Sequence, residues 1–250
     1  NWFSYNVEVE DNSTGSILES LGSSATFIIS QSSGTATNYG ADGWFGSLET
    51  LVPNEMYKIQ VTSPEILTLT GIPVNVASTP ISLITGWNWI GYLPQNPGDI
   101  NTALASVGNL GTFINSQSSG TATNYIEVGE GWFGNLETLE PGHGYLLNMS
   151  GPGELVYPEF NGLTRLAENK QEVILSETIS DWEFNFRDYE HIGTITASIE
   201  SREDFDGDIV GVFVGNECRG LAERMYFPFD DSYFYSVQVY SNIADGEELT

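Results

Sequence analysis

The chain has 250 residues, of which 34 are acidic and seven basic, giving a formal net charge of −27 at pH 7. This charge repels nucleic acids and anionic membranes, and no apolar run reaches the roughly 18 residues of a membrane-spanning helix. We therefore expect neither a nucleic-acid partner nor a membrane span. The acidic surface suits either high-salt water, where ions screen the self-repulsion, or divalent cations.

One module occurs twice in the first two thirds of the chain. Three pairs of segments match: 1–5 with 88–92, 30–39 with 116–125, and 43–51 with 131–139. The second pair is identical and reads SQSSGTATNY. The offset between the copies changes by single residues, which indicates that the insertions fall in loops between fixed strands.

Each copy is predicted to consist mainly of strands with one short helix. The run at 87–92, WNWIGY, alternates bulky and small residues as a half-buried strand does. The β-branched and aromatic runs at 25–29 and 111–114 each lead into Ser-Ser-Gly, which favours a hairpin turn. Behind an Asp cap, residues 99–107 carry apolar side chains at helical spacing, and 16–21 is the counterpart.

The drift of the repeat sets the module boundaries at 1–78 for copy one and 79–160 for copy two. Copy two begins with a lead-in strand, Ile81-Ser82-Leu83, ahead of its tryptophans. Copy one lacks the equivalent strand before Asn1. We therefore expect the N-terminus to be cut inside a module.

The remaining segment, 161–250, is predicted to be a β-sandwich module that follows a polar linker at 158–170. Its predicted strands are 173–175, 192–199, 209–214 and 233–240. The fold class is accordingly mainly β: two tandem small β modules, each with one short helix, followed by a β-sandwich module.

Residues 1–158 resemble a repeat of large surface or type IX-secreted proteins of Bacteroidetes-like bacteria. The resemblance rests on WNWIGY, the short helix, the strand ending in Asn-Tyr, GWFG and the LEPGHGY finish. It implies an extracellular or cell-surface location. Residues 182–220 are similar to a β-sandwich module of the same proteins, in which a further strand follows 247–250, so the C-terminus is expected to be truncated. Copy one departs from the repeat at Asn54-Glu55-Met56, where Gly-x-Gly is expected, which predicts a looser turn.

The candidate ligand-binding residues are two aromatic pairs, Trp44–Phe45 and Trp132–Phe133, each flanked by glycines. Tryptophans exposed on such loops form flat platforms on which sugar rings stack. Small modules also need tryptophan in their cores, so core and platform both stay open. The SQSSGTATNY run is likewise either a sugar-binding edge or a polar hairpin.

The candidate metal ligands are Asp204, Asp206 and Asp208, whose alternating carboxylates next to Gly207 can converge on one Ca²⁺. The spacing is not that of an EF-hand, and a solvated acidic turn is the alternative. No other cofactor is indicated. Cys218 is the only cysteine and, because it follows an apolar run, is predicted to be a buried structural thiol.

Gly-x-Ser-x-Gly, His-Glu-x-x-His and phosphate-loop patterns are all absent from the sequence, which argues against an enzyme. We expect a non-catalytic structural or adhesive segment of a large secreted or cell-surface multi-module protein. Neighbouring modules or subunits of the same protein would be its partners in an array or filament. The alternative is a carbohydrate-binding region appended to a secreted hydrolase, with a glycan as partner. Burial of both Trp44 and Trp132 would exclude the sugar-binding platform, whereas exposure of both on one side of the array would count against the structural role.

Overall fold

The chain is mainly β, as predicted, and forms two compact units, Asn1–Thr164 and Arg165–Thr250. The computed structural model describes residues 1–125, 131–160, 182, 184–199, 207–227, 232–244 and 246–250. The predicted strand at 173–175 and most of the predicted linker lie outside these residues.

Copy one forms a five-stranded antiparallel sheet in the order β1-β6-β3-β4-β5, with a separate two-stranded ladder of β2 and β7. Its strands are β1 (Trp2–Phe3), β2 (Val7–Glu8), β3 (Ala25–Ser30), β4 (Thr35–Asn38), β5 (Trp44–Gly46), β6 (Tyr57–Val61) and β7 (Ile72–Pro73). Its helical elements are α1 (Thr14–Ile17) and the 3-10 helices Glu19–Ser24 and Gly40–Asp42.

Copy two repeats this topology in a second sheet, ordered β9-β15-β11-β12-β13. Its strands are β8 (Ile81–Leu83), β9 (Gly86–Gly91), β10 (Gly98–Asp99), β11 (Gly111–Ser116), β12 (Thr121–Asn124), β13 (Trp132–Gly134), β14 (Thr138–Leu139), β15 (Gly144–Met149) and β16 (Gly153–Leu155). Its helical elements are α2 (Ile100–Ala103) and the 3-10 helices Val76–Ser78 and Ala105–Leu110. Two short ladders, β8 with β16 and β10 with β14, complete the copy.

The predicted short helix is confirmed in both copies and starts where a polar side chain caps it. Oδ1 of Asp99 accepts the backbone N–H of Thr102 at 2.9 Å, which satisfies a donor that the first helical turn leaves open. Each helical segment then kinks at a glycine, Gly22 or Gly108, with φ of 54° in both cases. Few other residues adopt this conformation, so the glycine fixes where the chain turns back into the sheet.

Each copy has its own hydrophobic core, in which the helical segment packs on one face of its sheet. In copy one, Ile17 and Leu18 of the helical segment pack with Ile28 and Tyr57 of the sheet. In copy two, the corresponding core also contains Val74. The core of copy two therefore begins a few residues before the boundary at 79.

The second unit contains two small antiparallel sheets that share one core. The three-stranded sheet has the order β17-β21-β20, and β18 pairs with β19. The strands are β17 (His191–Ala197), β18 (Ile209–Val214), β19 (Glu217–Glu223), β20 (Met225–Phe227) and β21 (Ser232–Ser241), preceded by the 3-10 helix Phe186–Asp188. Val212 of β18 packs with Tyr235 and Val237 of β21. The predicted strands 192–199, 209–214 and 233–240 are confirmed as β17, β18 and β21, and the Cys218 thiol is buried as predicted.

No helix in the part of the chain that the structure describes has the length and apolar character needed to span a bilayer.

Candidate functional site

The most elaborate polar contacts in the first unit join copy one to copy two. The backbone N–H of Ser4, just after β1, donates to the carbonyl of Gly142 in copy two at 3.1 Å. The equivalent N–H in copy two, that of Gly91, donates to the carbonyl of Asn54 in copy one at 3.2 Å. Because the repeat equates Ser4 with Gly91 and Asn54 with Gly142, the two hydrogen bonds are the same contact made in both directions. The copies are thus related by an approximate twofold, as in an isologous dimer.

Two glutamine side chains complete this reciprocal contact. The backbone N–H of Trp89 donates to Oε1 of Gln31 at 2.7 Å, and Nε2 of Gln31 donates to the carbonyl of Trp87 at 2.7 Å. In the other direction, the N–H of Trp2 donates to Oε1 of Gln117 at 2.7 Å. Each glutamine therefore binds the backbone at the outer edge of the other copy's five-stranded sheet, at β9 or β1, where a further strand would otherwise pair.

The identical hairpin turns hold the two glutamines in place. Oγ of Ser30 accepts the backbone N–H groups of Ser32 and Ser33, at 3.2 and 2.7 Å. Oγ of Ser116 accepts the two equivalent groups in copy two, at 3.3 and 3.1 Å. The Ser-Gln-Ser-Ser-Gly letters thus encode a turn whose glutamine points to the other copy, a role that the sequence did not reveal.

The contact between the copies is not symmetric at the turns that precede β6 in copy one and β15 in copy two. The Met56 side chain is fully buried against Gly144, where an added Cβ would lie 2.1 Å from the Met56 Cγ. The turn at Asn54-Glu55-Met56, predicted to be looser, closes with the same kind of hydrogen bond as its counterpart in copy two. The N–H of Glu55 donates to the carbonyl of Val52 at 3.4 Å, and copy two closes its turn with the equivalent 3.3 Å bond. The departure from Gly-x-Gly instead supplies the side chain that fills the junction.

A lysine lies between two tryptophans at this junction. Nζ of Lys58 is 4.8 Å from the ring centroid of Trp2 in its own copy and 4.4 Å from that of Trp89 in the other. Burial lowers the pKa of the Lys58 ammonium below its usual range. Copy two has Leu146 at the equivalent position of its sheet. Lys58, which is the only Lys or Arg before Arg165, therefore takes part in the contact between the copies.

The Glu55 carboxyl group also lies at the junction between the copies. Glu55 forms an isolated antiparallel bridge with Ile90 of β9. Burial raises the pKa of the Glu55 carboxyl, and hydrogen bonds from Tyr57, Ser32 and Ser30 oppose that rise. The junction therefore favours the protonated form of this side chain.

The predicted ligand residues differ between the copies, beginning with the tryptophans. Trp132 is buried, with 7% of its surface exposed, and both its backbone groups are bound by Asn101 of α2. Oδ1 of Asn101 accepts the Trp132 N–H at 2.6 Å, and Nδ2 donates to the Trp132 carbonyl at 3.3 Å. The indole is a member of the hydrophobic core of copy two. Little of the indole surface is therefore exposed for stacking on a sugar.

Trp44, the counterpart in copy one, is half-buried and lines an open cleft of about 390 Å³. Gly15 of α1 stands where copy two has Asn101, so the side chain that binds the backbone of Trp132 is missing here. The other polar groups of the cleft include Glu19, Ser23 and Asn38. Neither discriminating condition is met, since one tryptophan is buried and the other only half-buried.

The phenylalanines also differ. Phe45 is 59% exposed and packs edge-on against the exposed ring of Tyr39, with centroids 6.0 Å apart. Phe133 is half-buried. Copy one therefore presents two exposed aromatic rings side by side, on the face of β5 opposite to Trp44.

Of the predicted calcium ligands, Asp204 and Asp206 lie outside the described residues. Asp208 is described, and its backbone carbonyl accepts the N–H of Arg224 at 3.3 Å. Among the residues that the structure does describe, no group of three or more His, Cys, Asp or Glu side chains is arranged to hold a metal ion.

No protein-family model, curated protein or solved structure matches the chain.

Proposed function

We propose that the chain is a non-catalytic structural or adhesive segment of a large secreted or cell-surface multi-module protein. The observation that supports this role is the reciprocal contact between the copies, in which Gln31 and Gln117 each bind the edge strand of the other copy. A segment that transmits force or sets spacing needs tandem modules that keep one relative orientation, and this contact provides it within unit one.

The resemblance of residues 1–158 to repeats of type IX-secreted proteins supports the extracellular location. The net charge of −27 agrees with it, because such a surface stays dispersed in salty water. Neighbouring modules or subunits of the same protein are the proposed partners.

Pulling on the full chain between residues 2 and 160 with optical tweezers tests the structural role. Because the junction joins both cores, we expect copies one and two to unfold in one step that releases roughly 550 Å of chain. Glutamine-to-alanine substitution at both Gln31 and Gln117 should split this step into two. Two separate steps in the unaltered chain would contradict a rigid junction.

The alternative proposal, a carbohydrate-binding region, is favoured by one specific observation in copy one. The exposed rings of Tyr39 and Phe45 meet edge to face at 68°, and each can offer an aromatic face of the kind on which sugars stack. A glycan array would test it, with Phe45→Ala as the disabling variant and Phe133→Ala as the matched control. Saturable binding that Phe45→Ala abolishes and Phe133→Ala preserves would favour the alternative over the structural role.

Calcium is a further proposal, based on the sequence of Asp204, Asp206 and Asp208. Thermal unfolding with Ca²⁺ and with a chelator tests it, since an ion that binds only the folded chain raises the midpoint, and the rise grows with the logarithm of the free ion concentration. An unchanged midpoint, or equal shifts in the chain carrying Asp206→Asn, would leave the solvated acidic turn as the correct interpretation.

A further inference from the structure

We propose that the cleft beside Trp44 in copy one is a binding site for a primary carboxamide, the group that ends asparagine and glutamine side chains and many small amides. The amide oxygen accepts the backbone N–H of Trp44, and the amide nitrogen donates to the Trp44 carbonyl. This site goes beyond the structural and glycan-binding roles and depends on neither of them.

Copy two shows which group occupies the equivalent place. Oδ1 of Asn101 accepts the Trp132 N–H at 2.6 Å, and Nδ2 of the same side chain donates to the Trp132 carbonyl at 3.3 Å. A Cβ on Gly131 would lie 2.4 Å from the Asn101 Oδ1. A carboxamide therefore fills the space between α2 and the edge strand β13.

The first unit binds its other outer strand edges with the same chemical group. Each five-stranded sheet has two outer strands, β1 and β5 in copy one and β9 and β13 in copy two. Side-chain amides bind three of these edges: Gln117 at β1, Gln31 at β9 and Asn101 at β13. The edge of β5 at Trp44 is the fourth.

The two backbone groups of Trp44 face this outer edge. Inside the sheet, the N–H of Tyr39 donates to the carbonyl of Gly43 at 2.9 Å. The next pair along the ladder is Asn38 opposite Trp44. Bonded and non-bonded pairs alternate between antiparallel strands, so the N–H and carbonyl of Trp44 point away from β4. Within the part of the chain that the structure describes, no group binds either of them.

The space for an amide is open in copy one. Gly15 stands where copy two has Asn101, and a Cβ on Gly43 would meet nothing within 4 Å. Both glycines line the cleft of about 390 Å³. In copy two, one asparagine side chain spans the equivalent gap between helix and strand. Such a gap is too narrow for a further strand, which needs about 4.8 Å on each side, so a single planar amide is the better fit.

The surroundings of the cleft favour a primary carboxamide over related groups. Glu19, where copy two has Ala105, places an exposed carboxylate in the lining, which repels an anionic carboxylate ligand. A trans secondary amide directs its N–H and C=O to opposite sides, so it cannot bind both groups of one residue. The half-buried indole of Trp44 offers an apolar surface to the rest of the ligand.

The test is ¹⁹F NMR of the full chain labelled with 5-fluorotryptophan, titrated with benzamide. We expect a saturable shift of the Trp44 resonance and no shift of the Trp132 resonance, whose backbone is already bound by Asn101. N-methylbenzamide is the matched control ligand. It should bind about tenfold more weakly, because its methyl group replaces the hydrogen that reaches the Trp44 carbonyl.

A second titration distinguishes the two sources of the group. The probe is the peptide acetyl-Ala-Gln-Ala-N-methylamide, whose side chain carries its only primary carboxamide. Tighter binding of this peptide than of benzamide would identify the ligand as a side chain of another protein. Tighter binding of benzamide would identify it as a small amide, and either order supports the site.

Two variants of α1 locate the binding. Gly15→Asn should abolish the Trp44 shift, because the new side chain occupies the site as Asn101 does in copy two. Ser16→Asn, which adds the same side chain at the neighbouring exposed position, should leave the affinity unchanged. The proposal would be overturned by the absence of saturation with both primary amides, by equal affinity for N-methylbenzamide, or by undiminished binding to Gly15→Asn.

Discussion

Gln31 binds the outward edge of β9 through both ends of its amide, with Oε1 accepting the N–H of Trp89 and Nε2 donating to the carbonyl of Trp87. A single side chain thereby takes the place of a neighbouring strand. Gln117 accepts the N–H of Trp2 in the reverse direction. The edges of β9 and β1, which could otherwise pair with foreign strands, are thus closed by the other copy of the module.

Replacing Gln31 by alanine should destabilise unit one by about 0.5–1.5 kcal/mol, because the solvent-exposed Trp89 N–H exchanges its protein acceptor for water. Urea unfolding followed by tryptophan fluorescence measures this, since five of the six tryptophans, all but Trp182, lie in unit one. Gln60→Ala, at an exposed position of β6, is the matched control and should cost less than about 0.5 kcal/mol. Equal losses in the two variants would show that the Gln31 contact contributes nothing.

The strands and short helices could be predicted from the sequence because their signals are local. Alternation predicts β9, and the Asp99 cap with its apolar spacing predicts the helix. The duplication then transfers each prediction to the other copy. Such patterns depend on neighbours within a few residues, which the sequence displays directly.

The junction could not be predicted, because its partners are distant along the chain. Gln31 and Trp89 are 58 residues apart, and the letter Gln in a polar hairpin gives no indication of what it binds. One signal was available: Gly15 in copy one aligns with Asn101 in copy two. That difference could have predicted that the two tryptophan sites would not be equivalent.

The fit of Met56 against Gly144 predicts strong coupling between the two positions. Gly144→Ala should cost about 1–3 kcal/mol, because the new Cβ would lie 2.1 Å from the Met56 Cγ. In a Met56→Ala background the same substitution should cost about 1 kcal/mol less, since the Cγ and Sδ of Met56 are gone and only its Cβ, 2.7 Å from the new Cβ, remains. Gly151→Ala is the control, as its Cβ would meet only Leu110, at 3.4 Å. Additive effects in a double-mutant cycle would contradict the contact.

Glu55→Gln should stabilise unit one near neutral pH and lose this advantage in acid. Burial raises the pKa of Glu55 in the folded chain above its value in the unfolded chain. The contribution of protonated Glu55 to the free energy of unfolding is therefore complete below the unfolded-state pKa. It is lost as the pH rises through the raised pKa of the folded chain. Glutamine resembles the protonated acid at every pH.

Urea unfolding at about pH 4 and about pH 7 measures this difference, and the stability gap between variant and parent should widen at the higher pH. Glu10→Gln, at an exposed position, serves as the control and should show no comparable widening. A gap for Glu55→Gln that stays constant between the two pH values would mean that its carboxyl is not affected by the junction.

Gly15→Asn should convert the copy-one site into the closed form seen in copy two. A Cβ on Gly15 would lie 3.8 Å from Cδ1 of Trp44, an ordinary contact, so the substitution fits. By analogy with Asn101, whose Oδ1 accepts the Trp132 N–H at 2.6 Å, the new amide should bind the Trp44 backbone and narrow the cleft. We expect a gain of about 1 kcal/mol in the unfolding free energy. Because asparagine also forms helix better than glycine, Gly15→Ala is needed to separate the hydrogen bond from helix propensity.

The readout specific to the cleft is the solvent exposure of Trp44, followed by ¹⁹F NMR of the chain labelled with 5-fluorotryptophan and assigned with Trp44→Phe. Gly15→Asn should reduce the broadening of the Trp44 resonance by a soluble paramagnetic agent. Gly15→Ala should leave most of that broadening in place. The reverse substitution, Asn101→Gly, should expose Trp132 and lower stability by about 1–3 kcal/mol, because the Trp132 N–H loses its acceptor. If alanine and asparagine at position 15 protect Trp44 equally, the Asn101 contact does not explain why the two tryptophan sites differ.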